Sequence, residues 1–256
     1  TKCFEAGAMD FVGKPFVSQV LVSRVKRILE NRQHQNHLEE MVASQVAEMT
    51  RMQDEVITGI ANLIESRDGS TGLHVKNTQN YVQILTKALR EKGMYPDILD
   101  HNYELNTVKA SVLHDIGKIK TPDAILLKPG RLTDEEFEVM KQHTVAGCEI
   151  IDRIIGNVEH EEYVDIARKI ARYHHERWDG TGYPDGLSGE EIPLCARIMA
   201  LADVFDALYQ DRCYKKAIRP ASKVFEIIKE NSGSQFDPNL TEIFLELQRE
   251  ITDISE

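Results

Sequence analysis

The sequence predicts an all-α protein, a helical bundle preceded by a long linker helix and by a short strand–helix segment. Three observations carry that expectation. Almost every stretch longer than ten residues repeats its apolar side chains with helical period. Glycine and proline fall mainly between those stretches, where they act as stops. One short run alone, residues 9–14, reads as a strand.

That run is apolar up to Gly13-Lys14-Pro15, after which Val20, Leu21, Val25, Ile28 and Leu29 share one face of an amphipathic helix. A unit this small cannot bury both faces of its strand. Residues 1–30 are therefore expected to be the end of a larger domain, or to pack on the rest of the chain.

Residues 31–57 are polar and lack glycine and proline. Leu38, Val42, Gln45, Met49, Met52 and Val56 recur at alternating spacings of four and three, a coiled-coil seam with one polar layer at Gln45. The expectation is a linker helix that forms a homodimer; the alternative is a single helix laid against the next domain.

Residues 58–256 read as one helical domain of ordinary size. A helix over residues 74–92 turns Val75, Val82, Leu85 and Leu89 inward and stops at Gly93. The next, built on Leu105, Val108 and Val112, closes near His114. Thr133 with Glu136 forms a capping box for a helix bearing Phe137, Met140, Thr144 and Ile151. Further helices are predicted over residues 162–175, 196–210, 220–230 and 238–249. In the third from last of these, Ile198, Leu201, Phe205 and Leu208 make the core stripe, while Asp203 and Asp206 share a different face.

Composition narrows the function. With 41% hydrophobic residues in 256, disorder is a poor reading. A net charge of −11 argues against long nucleic acid as a partner, because coating a polyanion needs a basic face. No apolar run approaches the roughly 18 residues that span a bilayer, and no secretory pattern opens the chain, so a cytoplasmic protein without membrane contact is expected. Cys3, Cys148, Cys195 and Cys213 are scattered singly and suggest neither disulfides nor a thiolate zinc site.

The histidines stand beside carboxylates. His114-Asp115 closes one helix, His143 lies in the capped helix, His174-His175 ends another, and Asp203 breaks the apolar run around Leu201. Each alone has a plain explanation, a hydrogen-bonded histidine near a helix end or an aspartate paired with arginine. Together, four histidines and two aspartates on separate helices would be costly to bury unpaired. Imidazole and carboxylate without thiolate suit Fe, Mn, Zn or Ni, and the ligands outnumber the needs of one ion. Two metals bridged by a carboxylate such as Asp115 are inferred, an arrangement that serves phosphoester hydrolysis.

The stretch His174-His175-Glu176-Arg177-Trp178-Asp179-Gly180-Thr181-Gly182-Tyr183-Pro184, taken with His114-Asp115, resembles the signature of the bacterial HD-GYP phosphodiesterases, a branch of the HD metal-dependent phosphohydrolases. The likeness covers about residues 58–250. It implies an HD-type bundle and two divalent ions, Fe or Mn first and Ni or Zn as alternatives. Their ligands would be His114, Asp115, His143, His174, His175 and Asp203, with Asp115 as the bridge and His74 as a further upstream ligand. The resemblance also implies that Lys118 contacts the scissile phosphate, that Arg212 and Lys215 bind phosphate, and that Tyr183, in the Gly182-Tyr183-Pro184 loop, lines the substrate site. Members with three metals carry a glutamate four residues before the upstream histidine; Ser70 stands there, so a third metal is not expected. The implied activity is hydrolysis of a cyclic dinucleotide, cyclic di-GMP first and the mixed cyclic GMP-AMP dinucleotide as the alternative. A non-catalytic nucleotide or protein sensor is the reading from another class.

Residues 6–16 resemble the end of a two-component receiver domain, with Lys14 at the position of the lysine that senses the acyl phosphate. This implies a response regulator and a sensor kinase as partner of the full-length receiver, whose phosphoacceptor would lie upstream of Thr1.

Overall fold

The computed structural model describes residues 7, 13–15, 17–68, 73–156, 161–210 and 217–255. The strand expected over residues 9–14 lies largely outside them. Contacts divide the chain into two units, Thr1–Gln53 and Asp54–Glu256.

Helix α1 spans Ser18–Glu65. No glycine or proline interrupts the chain between residues 18 and 58, so nothing stops the helix at residue 31. In the first unit its apolar residues Leu38, Val42, Met49 and Met52 are all exposed.

The second unit takes the last turns of α1, where Ala61 and Ile64 enter the core. Helix α2, His74–Glu91, buries Val75, Tyr81, Val82, Leu85 and Leu89 along one face. It ends as expected at Gly93, whose φ of 68° lets the amide of Met94 reach the carbonyl of Leu89 at 3.0 Å and its own amide that of Arg90 at 3.0 Å. Helix α3, His101–Ala110, starts on Asp100, whose side chain accepts from the Tyr103 amide at 2.7 Å. After the short α4, Asp123–Leu126, comes α5, Asp134–Ile155, with the capping box of Thr133 and Glu136 formed in both directions. Then follow α6, Glu161–Tyr173; α7, Leu194–Tyr209; α8, Ala221–Glu230; α9, Pro238–Glu246; and α10, Gln248–Ser255. The fold is all-α, and among the described residues no strand forms. No helix among them is long and apolar enough to cross a membrane.

Three expectations need correction. Helix α7 is not one-sided: 13 of its 16 residues are buried, Arg197, Asp203 and Asp206 among them. It runs through the centre, packed on α2, α6 and α8, so each of its polar groups must find a partner indoors. Leu105 and Phe137, counted with the apolar positions of their helices, are exposed. The α-helix before His114 ends at Ala110, and a 3-10 turn at Ser111–Leu113 carries the chain on.

Candidate metal centre

His114 and Asp115 lie between two 3-10 turns, Ser111–Leu113 and Ile116–Lys120. Gly117 decides where the second turn can sit. A Cβ there would overlap the carbonyl oxygen of His143 and come within 2.5 Å of the Gly147 amide nitrogen. Only glycine lets the turn press on the backbone of α5, and that contact brings Asp115 Oδ1 to 3.2 Å from His143 Nε2.

The histidine rings are set by their far nitrogens. Nδ1 of His114 lies 2.8 Å from the carbonyl of Ser111, that of His143 2.7 Å from Met140, and that of His174 2.9 Å from Ile170. A carbonyl can only accept, so each Nδ1 carries a proton and each Nε2 is the nitrogen turned to the centre, where an ion would take its lone pair. These Nε2 atoms surround Asp115, at 3.3 Å from Oδ2 for His114 and at 3.2 and 3.6 Å from Oδ1 for His143 and His174. His175 stacks at a tilt on His174, with ring centroids 4.1 Å apart, and joins Asp115, His143 and His174 in a group whose ligand atoms lie within 4.8 Å of one another.

A second such group comprises Glu65, His74, His114 and Asp115. His74 opens α2, and its Nδ1 donates to Asp206 Oδ2 at 2.6 Å. Asp206 is fully buried and also accepts from Asn77 Nδ2 at 3.2 Å and the Tyr81 hydroxyl at 3.3 Å. That leaves His74 Nε2 facing inward, 3.5 Å from Asp203 Oδ1. Asp115 is common to both groups.

Electrostatics follow from this crowding. Burial opposes charge on Asp115, but Lys118 and His114 beside it hold its carboxyl well below the usual range. Burial likewise opposes charge on His114, yet Asp115, with Asp203 and Glu65 nearby, raises it to about 9. Burial lowers His174, and burial with the neighbouring His174 and His143 lowers His175 well below its ordinary value. Asp203 is held low by His114 and His74 against the cost of its burial.

These residues fit a divalent cation. His74 Nε2, His114 Nε2 and Asp115 Oδ1 are buried with no hydrogen-bond partner, although they lie close to one another. Three such atoms would cost several kcal/mol in a dry interior; a cation at the point they face would satisfy them together. Lone-pair nitrogens held by carbonyls and a carboxylate are the usual orientation of metal-bound imidazole.

Lys118, nearly buried, places Nζ 2.7 Å from Asp115 Oδ2 and 3.1 Å from Glu65 Oε1. The loop after His175 is shaped by Glu176, whose carboxylate accepts from the amides of Asp185, Gly186 and Leu187 at 2.8, 3.0 and 3.1 Å. Gly182 is needed here, since a Cβ would come within 2.5 Å of Glu176 Cα. The loop sets Tyr183 beside His175, with ring centroids 4.9 Å apart, and against the edge of Phe137 at 5.9 Å; Pro184 follows it. Burial and the nearby Asp115 and Asp203 push the Tyr183 hydroxyl above its ordinary range.

Among the sequence-derived site residues, His74, His114, Asp115, Lys118, His143, His174, His175, Tyr183 and Asp203 thus converge. Arg212, Lys215 and Ser70 lie outside the described residues. Glu65, Asp206 and Glu176 were not singled out as site residues. Glu176 stands in the quoted motif beside His175 and Asp206 three residues after Asp203, whereas nothing in the sequence around Glu65 points to the site.

Fold and site together define a helical protein with a buried histidine–aspartate centre suited to divalent metal. The HD domain model matches residues 36–240, and the chain belongs to the HD domain family. It is 42% identical to a probable cyclic di-GMP phosphodiesterase of Vibrio cholerae, over 99% of this chain and 59% of that protein. It is 38% identical to a cyclic di-GMP phosphodiesterase of Thermotoga maritima, over 99% of this chain and 69% of that one. The chain therefore spans little more than half the length of the first relative. A crystal structure of a cyclic GMP-AMP specific phosphodiesterase of V. cholerae matches with a TM-score of 0.52 at 19% identity, over 78% of this chain and 50% of the other, a likeness of fold.

Proposed function

We propose that the chain is an HD-GYP phosphodiesterase that hydrolyses a cyclic dinucleotide, cyclic di-GMP in the first place, to the linear dinucleotide. The carrying observation is that Asp115 belongs to both ligand groups, as a carboxylate bridging two ions would. His143, His174 and His175 would hold one ion with Asp115; His74, His114 and Asp203 would hold the other. Such ions, iron or manganese first by the family resemblance and nickel or zinc as alternatives, would supply Lewis-acid charge and a water of lowered pKa. With Ser70 at the position of the third-metal glutamate, two ions are proposed.

The chain's own residues supply the rest. Lys118 offers its ammonium to the phosphoryl oxygens, where charge develops during displacement. Tyr183 forms a wall beside His175 against which the substrate is oriented. Arg212 and Lys215 are proposed to hold the second phosphate of the ring.

The test is a side-by-side assay of cyclic di-GMP and 3'3'-cyclic GMP-AMP with the protein loaded with iron, manganese or nickel. Faster cleavage of cyclic di-GMP supports the reading. Cleavage of the mixed dinucleotide alone would replace the substrate and keep the chemistry, and cleavage of neither would remove the activity.

The remaining features extend the same reading. Residues 1–30 are proposed as the end of a receiver domain and residues 31–57 as a linker to the phosphodiesterase domain at 58–256, in a cytoplasmic response regulator served by a sensor kinase. The exposed apolar residues Leu38, Val42, Met49 and Met52, spaced as a coiled-coil seam, support a homodimer through α1. Light scattering on a chain with Met49→Glu and Met52→Glu should show monomers; an unchanged dimer would place the association elsewhere.

A further inference from the structure

Lys118 is held at both ends by one short segment. Glu65, the last residue of α1 and 2% exposed, places Oε1 3.1 Å from Lys118 Nζ. Two residues on, the Arg67 guanidinium donates from Nη1 to the carbonyls of Lys118 at 3.3 Å and Ile119 at 3.2 Å, and from Nη2 to the carbonyl of Thr121 at 3.3 Å. Nη2 also reaches Asp123 Oδ1 at 2.5 Å. These carbonyls lie at and just beyond the end of the 3-10 turn Ile116–Lys120, where a planar fork of donors can reach several acceptors at once; that of Lys118 also accepts from the Thr121 amide at 3.0 Å.

We propose that Glu65 and Arg67 are positioning residues for Lys118: Arg67 fixes the backbone of the turn, and Glu65 aims the ammonium at the reacting phosphate. This rests on the reading of Lys118 as a phosphate contact. A second carboxylate at the ammonium, Asp115 at 2.7 Å, is the shared ligand of the centre, so its charge is committed to cations. Glu65 gives Lys118 a counter-charge besides that of the bridging carboxylate. Glu65 also falls in the second ligand group, so a direct role as metal ligand is the competing assignment.

The experiment uses the full chain loaded with manganese and compares wild type, Glu65→Gln, Arg67→Lys and Lys118→Met. Metal content, kcat and KM on cyclic di-GMP, and the rate of acylation at Lys118 relative to exposed Lys120, read by mass spectrometry, are measured for each. Glu65→Gln keeps size and removes charge. It should retain wild-type metal, lower kcat about 10–100-fold with little change in KM, and raise Lys118 acylation. In the Lys118→Met background it should cost nothing further. Arg67→Lys, which keeps charge and loses the fork, should also raise Lys118 acylation. Loss of metal in Glu65→Gln would make Glu65 a ligand and overturn the proposal, as would unchanged kcat and acylation in that variant. If the wild type fails to cleave cyclic di-GMP, the proposed function falls, and the acylation rates still decide whether Glu65 and Arg67 hold Lys118.

Discussion

His74 Nδ1 donates to Asp206 Oδ2 across 2.6 Å, joining the first residue of α2 to the last third of α7. The bond fixes the tautomer of His74 and turns its Nε2 toward Asp203, so Asp206 governs the metal centre without touching it. Asp206→Ala should weaken metal binding about 10–100-fold in a chelator competition. It should also lower unfolding stability by about 1–3 kcal/mol, since the Asn77 and Tyr81 donors lose their acceptor. Wild-type affinity in this variant would show that His74 does not bind metal.

Gly117→Ala tests the close approach of the turn to α5. The added methyl overlaps the His143 carbonyl, and neither backbone can move without parting Asp115 from His143. Urea unfolding should show a loss of about 1–3 kcal/mol, with metal content falling alongside. A stable, fully loaded variant would contradict the account of this turn.

Glu176→Ala removes the acceptor of three loop amides. The loop should become open to trypsin at Arg177, and KM should rise as Tyr183 loses its place while metal content holds. Stability should drop by at least the about 1.5–3 kcal/mol that one hydrogen bond to a charged group is worth. An unchanged cleavage pattern would mean that other contacts hold the loop.

Metal uptake should depend on pH through His114. Its folded pKa, raised to about 9 by Asp115 against the opposing effect of burial, means that the metal-free protein carries a proton there at neutral pH. An entering ion must displace that proton, so affinity should climb about tenfold per pH unit from 7 toward 9 and then level. His174 and His175, both lowered and hence neutral at pH 7, add no competing proton in that range. A chelator competition at pH 7, 8 and 9 checks the slope; a flat profile would contradict it.

Much of this was legible in the sequence because local chemistry set it. Thr133 and Glu136 announced the start of α5, Gly93 the end of α2, and adjacency to carboxylates marked His114 and the His174-His175 pair. What failed to show depended on distant partners. The residues of α7 look one-sided by period, but helices pack around the whole of it, and Asp206 is paid for by a residue 132 positions away. Leu105 and Phe137 fit an apolar stripe by spacing, yet no neighbour covers them enough to bury them. Glu65 ends a long polar helix full of charged residues, and only its burial and its distances to Lys118 and the second ligand group distinguish it.

The most direct test of the central claim is turnover measured together with bound metal in Asp115→Ala. The account predicts that the wild type binds two equivalents and cleaves cyclic di-GMP, and that the variant loses both metal and turnover, because Asp115 belongs to both ligand groups. A metal-depleted Asp115→Ala protein that cleaves cyclic di-GMP at the wild-type rate would contradict it.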